Sequence, residues 1–304
     1  MTGVQTCALP ISGQQLVVNG QSLQPGETFS FNGSAETDGG RFLVYGGRDT
    51  DILVGGTGND IFSFEEPRWN PTDMIAGGGG NDALVLSYGS GLNTITFGET
   101  QLTSIEAISV NNRFATDPLQ TPSYALIMAN GNVAAGATLI VNGQSLLAGQ
   151  SISVNGSAET DGQYRMFGGG GNDVLTGGAG NDQLTGNGSG DTLTGGAGND
   201  TFRYVLASDS NSTERDGIQD FNAGDIIDLA GIDANTLLDG DQAFSFVGNN
   251  AFTNTAGELR FENISLGGPI WLVQGDTNGD GVSDFEVVLV IPDAHTITTA
   301  DFVF

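Results

Sequence analysis

The stretch GGGGNDVLTGGAGNDQLTGNGSGDTLTGGAGNDTFR, residues 168–203, repeats one nine-residue phrase four times. Each phrase opens on glycine, has an aspartate at its sixth place and ends in a short segment that contains apolar residues. Glycine loses more conformational freedom on folding than any other residue. A chain that repeats glycine at a fixed period must therefore need turns that other residues cannot form.

The nonapeptide predicts half of one solenoid coil, with six turn residues followed by three strand residues. Two units complete one flattened turn, and successive turns stack as parallel strands. We therefore predict an all-β fold, a right-handed parallel β-roll or β-solenoid of glycine-rich nonapeptides followed by a β-rich C-terminal domain. The strand residues predicted to point into the core are Val174, Leu184, Leu193 and Phe202.

Units eighteen residues apart stack on the same edge of the predicted roll. This stacking places Asp173 above Asp191 and Asp182 above Asp200. Two carboxylates and the bare carbonyl oxygens of two glycine-rich turns give about six oxygen ligands, the kind and number that Ca²⁺ takes. Mg²⁺ would keep several waters, and soft metals would need His or Cys. The carbonyl ligands are predicted from Gly168, Gly169, Gly170, Gly171, Gly177, Gly178, Gly180, Gly186, Gly188, Gly195, Gly196 and Gly198.

A weaker block of the same kind lies at residues 46–85 and is interrupted by the four-residue insert FEEP. Asp51 and Asp73 are 22 residues apart, as are Asp60 and Asp82, which equals the eighteen of two units plus the inserted four. The register therefore continues across the insert. It predicts two more calcium cages, although the turn before Asp73 lacks glycine.

The nonapeptides resemble the calcium-binding repeat G-G-x-G-x-D-x-U-x of RTX (repeats-in-toxin) proteins. Three of the four units at 168–203 fit the pattern, and the third has Asn187 for the second glycine and Gly190 before its aspartate. The resemblance implies Ca²⁺ as the cofactor and an extracellular, secreted protein.

Residues 201–304 are similar to the C-terminal domain of serralysin-type secreted metalloproteases, through segments such as GDTNGDGVSDFEVVL and HTITTADFVF. This similarity implies a type I ABC exporter as the partner during secretion. It also implies an uncleaved export signal at the terminus, an acidic residue followed by three apolar ones: Asp301, Phe302, Val303 and Phe304. A final edge strand is the alternative interpretation of these residues.

Acidic residues at the start of this tail are further candidate ligands. Asp209 lies eighteen residues beyond Asp191, at the sixth place of one more nonapeptide phase, which predicts an additional half-coil. Asp216, Asp220 and Asp225 could supply more ligands.

Two other motifs are interpreted as structural and not as metal-binding or catalytic. The segment DTNGDGVSDFE at 276–286 has EF-hand spacing, but Val287 stands where that loop needs a bidentate glutamate, so a hairpin turn is preferred. His295 is the only histidine, which excludes an H-E-x-x-H zinc site. We predict no catalytic residues, because the best carboxylate pairs belong to the cages.

A long repeat organises the chain. VNGQSL at 18–23 returns at 141–146 and NGSAETDG at 32–39 returns at 155–162, both displaced by 123 residues. The predicted domains are a first solenoid duplicate at 13–135, a second duplicate at 136–203 and a serralysin-like secretion domain at 204–304.

Residues 1–12 resemble the in-frame translation of a sequencing-adapter oligonucleotide. A genuine leader would need a basic region and a longer apolar stretch. Because the single cysteine, Cys7, lies in this segment, we expect the natural chain to lack cysteine and to begin upstream.

Composition narrows the class of partner. Thirty-six acidic residues oppose eight basic ones, all arginine, for a net charge of −28. Such a chain repels nucleic acid and anionic membranes and suits cations. No apolar stretch is long enough to span a bilayer.

Two functional hypotheses follow. In the first, the chain is a calcium-folded secretion and stabilisation module of a larger exported protein. In the alternative, it is a stand-alone extracellular adhesive or surface-layer scaffold, which an exposed row of aromatic or threonine side chains would favour.

Overall fold

The computed structural model describes residues 10, 12–65, 68–112, 121–265, 268–292 and 295–304. The chain divides into two compact units, residues 1–146 with 154–163 and residues 147–153 with 164–304. The adapter interpretation concerns residues 1–12, most of which lie outside the described residues. Of the two that are described, Pro10 is buried and Ser12 is exposed. The domain boundaries at 135 and 203 remain predictions.

Regular structure in the described ranges is β-strand, apart from three single-turn 3-10 helices at Asn130–Asn132, Ala207–Asp209 and Thr299–Asp301. No helix in these ranges combines the length and apolar character that crossing a bilayer requires. The first strands are β1 (Gln15–Asn19), β2 (Phe29–Asn32), β3 (Arg41–Tyr45), β4 (Asp51–Val54), β5 (Ile61–Glu65), β6 (Met74–Ala76), β7 (Ala83–Tyr88), β8 (Gly91–Thr96), β9 (Leu102–Thr103), β10 (Ala107–Asn112), β11 (Pro122–Ile127) and β12 (Thr138–Asn142). The later strands are β13 (Ile152–Asn155), β14 (Gln163–Phe167), β15 (Val174–Thr176), β16 (Gln183–Thr185), β17 (Thr192–Thr194), β18 (Thr201–Arg203), β19 (Asp216–Ile218), β20 (Ile226–Asp228), β21 (Ser245–Gly248), β22 (Glu258–Asn263), β23 (Ile270–Asp276), β24 (Phe285–Val290) and β25 (Phe302–Val303).

The first unit is a solenoid of parallel strands in three sheets. One sheet has the order β1-β3-β5-β7-β10-β12, a second has the order β2-β4-β6-β9, and β8 pairs with β11 in the third. Strands pair across the insert at a spacing of 22 residues, with Ile61 opposite Ala83 and Ile52 opposite Met74. The inward residues of the first sheet stack in one buried row: Val44, Phe62, Leu84, Ile108 and Val141.

The second unit contains the nonapeptide roll, and each repeat forms one three-residue strand. Even-numbered strands β14-β16-β18-β20 form one parallel sheet, which ends in β25, and β15-β17-β19-β24 belong to the other. Strands eighteen residues apart pair directly, as Leu175 with Leu193 and Leu184 with Phe202. The predicted parallel β-roll is therefore the observed architecture.

One inward residue differs from the prediction. Val174 is 43% exposed, whereas Leu175 is fully buried. In a strand, neighbouring side chains point to opposite faces, and Leu175 occupies the place that Leu184, Leu193 and Phe202 hold in their own repeats. The prediction of Val174 in the core was wrong by one position.

The roll does not continue at nine-residue steps beyond β18. Leu193 pairs with Ile218, 25 residues later, so the coil contains seven more residues than a repeat pair. The 3-10 helix Ala207–Asp209 lies in this longer connection. Asp209 therefore does not occupy the place in the stack that the sequence period predicted.

The segment with EF-hand spacing connects the antiparallel strands β23 and β24, as the hairpin interpretation predicted. Asp276 is buried, with Oδ1 accepting the N–H of Gly279 at 2.6 Å and Oδ2 accepting that of Gly281 at 2.8 Å. Asp284 Oδ2 accepts the N–H of Thr277 at 2.8 Å. These aspartates cap their own turn.

The two neighbouring side chains of β15 give a direct test of the core. Leu175→Ala removes a fully buried side chain and should lower the free energy of unfolding by about 2–5 kcal/mol. Val174→Ala changes an exposed position and should change it by less than about 0.5 kcal/mol. Urea unfolding in saturating calcium measures both, and equal losses would contradict the observed alternation.

Candidate metal centre

The sixth-place aspartates form a ladder along each edge of the roll. The backbone N–H of Asp173 donates to Oδ1 of Asp191 at 2.7 Å, and that of Asp182 donates to Oδ1 of Asp200 at 2.8 Å. Oδ1 of Asp182 in turn accepts the N–H of Tyr164 at 2.6 Å. Each carboxylate is therefore positioned by the backbone of the preceding coil, and the structure brings both predicted pairs together.

The first block repeats this contact in spite of its insert. The N–H of Asp51 donates to Oδ1 of Asp73 at 2.9 Å, and that of Asp60 donates to Oδ1 of Asp82 at 2.7 Å. The four predicted pairs are thus adjacent. Their role as calcium ligands remains a prediction.

Several carboxylate oxygens of the ladder are buried without a hydrogen-bond partner. They are Oδ1 of Asp51, Oδ2 of Asp82 and Oδ2 of Asp191. Burying a charged oxygen without a partner is costly. A cation beside these oxygens would remove that cost, so the unpartnered atoms fit a metal ion.

Glycine at the first place of a repeat leaves room beside these oxygens. A Cβ placed on Gly177 would lie 2.2 Å from Oδ2 of Asp182 and 2.4 Å from the carbonyl oxygen of Gly195. A carboxylate oxygen and a peptide carbonyl of the next coil thus converge on a space that any side chain would fill. The same arrangement occurs at Gly168, beside Asp173 and Gly186.

The donor set suits Ca²⁺. Within the described ranges, no three carboxylate, imidazole or thiol groups are grouped closely enough to hold a metal. A cation at these turns would therefore need peptide carbonyl oxygens in addition to the paired aspartates. Hard oxygen ligands of both kinds are those that Ca²⁺ prefers.

The degenerate third repeat supplies side-chain donors to two of the predicted carbonyl ligands. Asn187 Nδ2 donates to the carbonyl oxygen of Gly168 at 3.1 Å, and Ser189 Oγ donates to that of Gly170 at 3.0 Å. Asn187 and Ser189 have φ values of 67° and 77°, a left-handed conformation that glycine adopts at lower cost. The Asp173–Asp191 cage is therefore more crowded than the Asp182–Asp200 cage.

Two predicted carbonyls are also bonded within the backbone. Gly178 accepts the N–H of Ala197 at 2.9 Å, and Gly169 accepts that of Gly188 at 3.3 Å. A carbonyl oxygen has two lone pairs, so these bonds leave one direction open.

Asp216 and Asp225 continue the ladder in the coil where Asp209 was expected. Oδ1 of Asp216 accepts the N–H of Asp191 at 2.8 Å, and Oδ1 of Asp225 accepts that of Asp200 at 2.9 Å. Asp209 instead caps its 3-10 helix, with Oδ2 accepting the N–H groups of Val205 and Leu206 at 3.1 and 2.9 Å. The spacing of 25 residues could not be read from a nine-residue period.

Asp220 binds the backbone of the last repeat. Its Oδ1 accepts the N–H of Gly195 at 2.9 Å and its Oδ2 accepts that of Gly196 at 2.8 Å.

Two kinds of residue that hold the turns were missed in the sequence. Buried Glu36 accepts the N–H groups of Gly40 at 2.8 Å and Thr57 at 3.0 Å, which links adjacent coils. The duplication of its motif around Glu159 was the available signal. Fifth-place asparagines also link coils, because Oδ1 of Asn181 accepts the N–H of Asn199 at 2.9 Å.

Comparison with known proteins identifies the family. The family model "Peptidase M10 serralysin C terminal" matches residues 149–304, which include the complete second-block roll. The chain belongs to this family. A second model, the RTX calcium-binding nonapeptide repeat (4 copies), matches residues 43–63. The protein is thus a calcium-binding RTX module, and Ca²⁺ is its cofactor.

Comparisons with curated proteins and with solved structures gave the following results. No curated protein matches the chain. Among solved structures, the chain is similar to the solution structure of a subunit of the mannuronan C5-epimerase of Azotobacter vinelandii. The identity is 27%, covering 58% of this chain and 83% of that one, with a TM-score of 0.35.

In the serralysin C-terminal region, the RTX carboxylates resist ionisation when no cation is present. Burial, followed by the neighbouring Asp216 carboxylate, raises the pKa of Asp191 to about 9. Burial raises the pKa of Asp216 to about 8 and that of Asp200 to about 7. In the first block, burial raises the pKa of Asp82 to about 7. The edges of the roll therefore need either protons or a cation at neutral pH.

Asp182 provides a test of the assigned RTX site. Asp182→Asn removes one charge from a cage whose flanking turns are rich in glycine, and fewer ligand charges weaken Ca²⁺ binding. We expect the calcium concentration at the folding midpoint to rise about tenfold, equivalent to roughly 1.4 kcal/mol. The measurement is a calcium titration followed by circular dichroism. Asp239→Asn, on an exposed loop, removes the same charge and is the matched control. A midpoint equal to that of this control would exclude Asp182 as a ligand.

The raised pKa values also predict a pH dependence in chelator. The folded carboxylates keep protons that the unfolded chain releases above its ordinary pKa of about 3.9. The metal-free folded state is therefore most stable below about pH 4 and loses stability as the pH rises through the folded pKa values of about 7 to 9. We expect more β-structure in chelator at about pH 5 than at about pH 8, measured by circular dichroism. The same comparison in saturating calcium should show no such loss, and a flat response in chelator would refute the prediction.

Proposed function

We propose that this chain folds on calcium outside the cell and serves as the C-terminal secretion and stabilisation region of a larger exported protein. The observation that supports the proposal most directly is the ladder of buried aspartates. The carboxylates of adjacent coils face each other, and several of their oxygens have no partner.

Such a ladder makes folding conditional. When bound, Ca²⁺ supplies the positive charge that the paired carboxylates lack. Without it, Asp191 and Asp216 would need to take up protons or repel each other, and either requirement opposes closure of the coil that contains them at neutral pH. Since the ligands converge only in the folded chain, folding and binding form one equilibrium.

This conditional folding suits export through a type I system. The chain stays unfolded at cytosolic calcium levels, which allows it to pass a narrow channel. Folding outside makes its return unfavourable. RTX proteins and serralysin-type domains are typically secreted, which agrees with this scheme.

The terminal segment has a defined place in the folded chain. Phe302 is buried and pairs with Ile227 in the sheet, and its ring stacks on Phe304 at 5.8 Å. Asp301 is buried, with Oδ2 accepting the N–H of Thr298 at 2.6 Å and Oδ1 at 2.9 Å from Nε2 of His295. Val303 and Phe304 stay partly exposed in the folded chain, whereas an exporter that reads Asp301 and Phe302 would do so before the chain folds. The edge-strand interpretation and the signal interpretation are thus compatible, at different stages.

A non-enzymatic role is part of the proposal. The two matched models describe a C-terminal domain and calcium-binding repeats, neither of which is catalytic. The large aromatic side chains of the solenoids, such as Phe42, Phe62, Tyr164 and Phe202, lie in the core. This position does not favour the adhesive scaffold, which would present such side chains outward.

The test separates recognition of the terminus from folding. Deleting residues 301–304 should abolish secretion in a host with a type I exporter, while calcium-induced β-structure of the roll remains. The matched control is Ile227→Ala, which removes the buried cross-strand partner of Phe302 and leaves the terminus intact. We expect this control to lose stability and still be secreted.

The secreted fraction is measured in the culture medium, and folding is measured by circular dichroism in calcium and in chelator. Equal secretion of the truncated and full-length chains would remove the terminus from the mechanism. Equal β content in calcium and in chelator at neutral pH would refute calcium-driven folding.

A further inference from the structure

The turn pair formed by Asp51 and Asp73 has a side-chain amide that contacts a turn carbonyl oxygen and a carboxylate together, whereas the Asn187 amide of the Asp173–Asp191 pair contacts a carbonyl oxygen. Asn70 stands in a turn without glycine, and its Nδ2 donates to the carbonyl oxygen of Asp49 at 2.6 Å and to Oδ1 of Asp73 at 2.9 Å. Asp49 belongs to the preceding coil. The amide therefore bridges a carbonyl of one turn and the carboxylate of the next, the two kinds of oxygen that converge on open space at Gly177.

The orientation of this amide follows from its partners. Asn70 Oδ1 accepts the N–H of Thr72 at 3.0 Å, and a backbone N–H can only donate. The Asp49 carbonyl and the Asp73 carboxylate can only accept. Exchanging the oxygen and nitrogen of the amide would therefore break all three contacts.

Donors occupy most of the oxygens that a cation would need here. Oδ1 of Asp73 accepts both the Asn70 amide and the N–H of Asp51, and its Oδ2 accepts the N–H of Asn70 at 2.8 Å. Oδ2 of Asp51 accepts the N–H of Gly47 at 2.9 Å, which leaves Oδ1 of Asp51 unpartnered. The Asn70 amide thus occupies a carboxylate oxygen and a turn carbonyl oxygen, two of the roughly six to eight ligands that Ca²⁺ would need here.

The other pair of the same block is the internal comparison. Asp82 Oδ1 accepts the N–H of Asp60, and its Oδ2 has no partner. A Cβ placed on Gly55 would lie 2.2 Å from Oδ2 of Asp60 and 2.1 Å from the carbonyl oxygen of Gly77. Both oxygens of Asp60 accept backbone N–H groups, from Phe42 and Gly56 at 2.7 Å. The difference lies in the turn before Asp82, where Gly79 stands at the place that Asn70 holds in the first pair and supplies no amide.

Neutral amides continue along the Asp73 edge into the following coil. Nε2 of buried Gln101 donates to the carbonyl oxygen of Asp73 at 3.0 Å, and its Oε1 accepts the N–H of Gly98 at 2.6 Å. The hydroxyls of Thr50 and Thr72 are hydrogen-bonded across the coils at 2.7 Å. In the first unit, neutral side-chain donors thus join successive coils along the edge that contains Asp51 and Asp73. The edge that contains Asp60 and Asp82 is the one lined by carboxylates.

We propose that the Asp51–Asp73 turn pair binds no calcium, because the Asn70 amide stands in the place of the cation and closes this coil without metal. The expectation of a calcium cage at Asp51 and Asp73 is replaced by a metal-free junction. The contrast with the other turn pairs, which are taken to bind calcium, rests on the proposed calcium-dependent function. The contacts of the Asn70 amide are independent of that proposal.

The first experiment counts calcium ions bound per chain in the full-length protein by equilibrium dialysis and elemental analysis. Asp73→Asn should leave the count unchanged, whereas the matched Asp82→Asn should lower it by about one ion. A loss of about one ion in Asp73→Asn, with its circular dichroism spectrum unchanged, would overturn the proposal.

The second experiment covers the case in which Asp73→Asn does not fold. Asn70→Gly removes the amide and restores the glycine that the repeat pattern favours in this turn, so it should bind about one ion more than the unaltered chain. A folded Asn70→Gly chain with an unchanged count would refute the amide as the excluding group. A count of zero in the unaltered chain would instead refute the proposed function, and Asn70→Gly would still decide this inference by its gain or lack of gain.

Discussion

The backbone N–H of one aspartate donates to the carboxylate of the aspartate one coil later, and the roll depends on this contact. The contact is buried, and it recurs along the roll edges from the pair Asp51 and Asp73 to the pair Asp200 and Asp225. Leaving a buried donor unpaired costs about 1–3 kcal/mol, so the contact strongly favours one register. The alignment that brings Leu175 against Leu193 also brings Asp173 against Asp191. Correct packing of the core and accumulation of charge at the edge are therefore inseparable.

This coupling explains why the apolar core and the acidic edge behave differently. The inward row of the second unit, Met166, Leu184, Phe202 and Ile227, is fully buried and gains stability from burial alone. The edge gains its hydrogen bonds only by placing carboxylates together in a chain of net charge −28. A short three-residue strand per repeat offers little apolar area to offset that repulsion. Each turn of the roll therefore needs a cation, a proton or a neutral donor that offsets this repulsion.

The sequence predicted features that repeat and missed features that depend on contacts between different coils. The nine-residue period, the pairing at eighteen residues and the shift to 22 across the insert were all readable, because each follows from constant residue types at constant spacing. Val174 was misplaced because the face of a three-residue strand depends on a single position. Asp209 was misplaced because the 3-10 helix before Ser210 lengthens the coil, which a period cannot show.

The candidate site was predictable to the same extent. The paired aspartates follow from the period, whereas the bridging role of Asn70 depends on a carbonyl 21 residues away. Nothing in the composition of the RWNPTD turn specifies that contact. Glu36 is a partial exception, since the recurrence of its motif at Glu159 was a signal in the sequence, although that signal does not show the N–H groups that Glu36 binds.

The unequal coil lengths have a consequence for how such chains diversify. Coils of 18, 22 and 25 residues occur in one protein, and each preserves the hydrogen bond between successive aspartates. In the 25-residue coil the additional residues lie between β18 and β19, at a corner where the entropic cost of closing a loop grows only slowly with its length. The connection between β18 and β19 is consequently a position at which a foreign peptide could be grafted while the strands on either side keep their pairing.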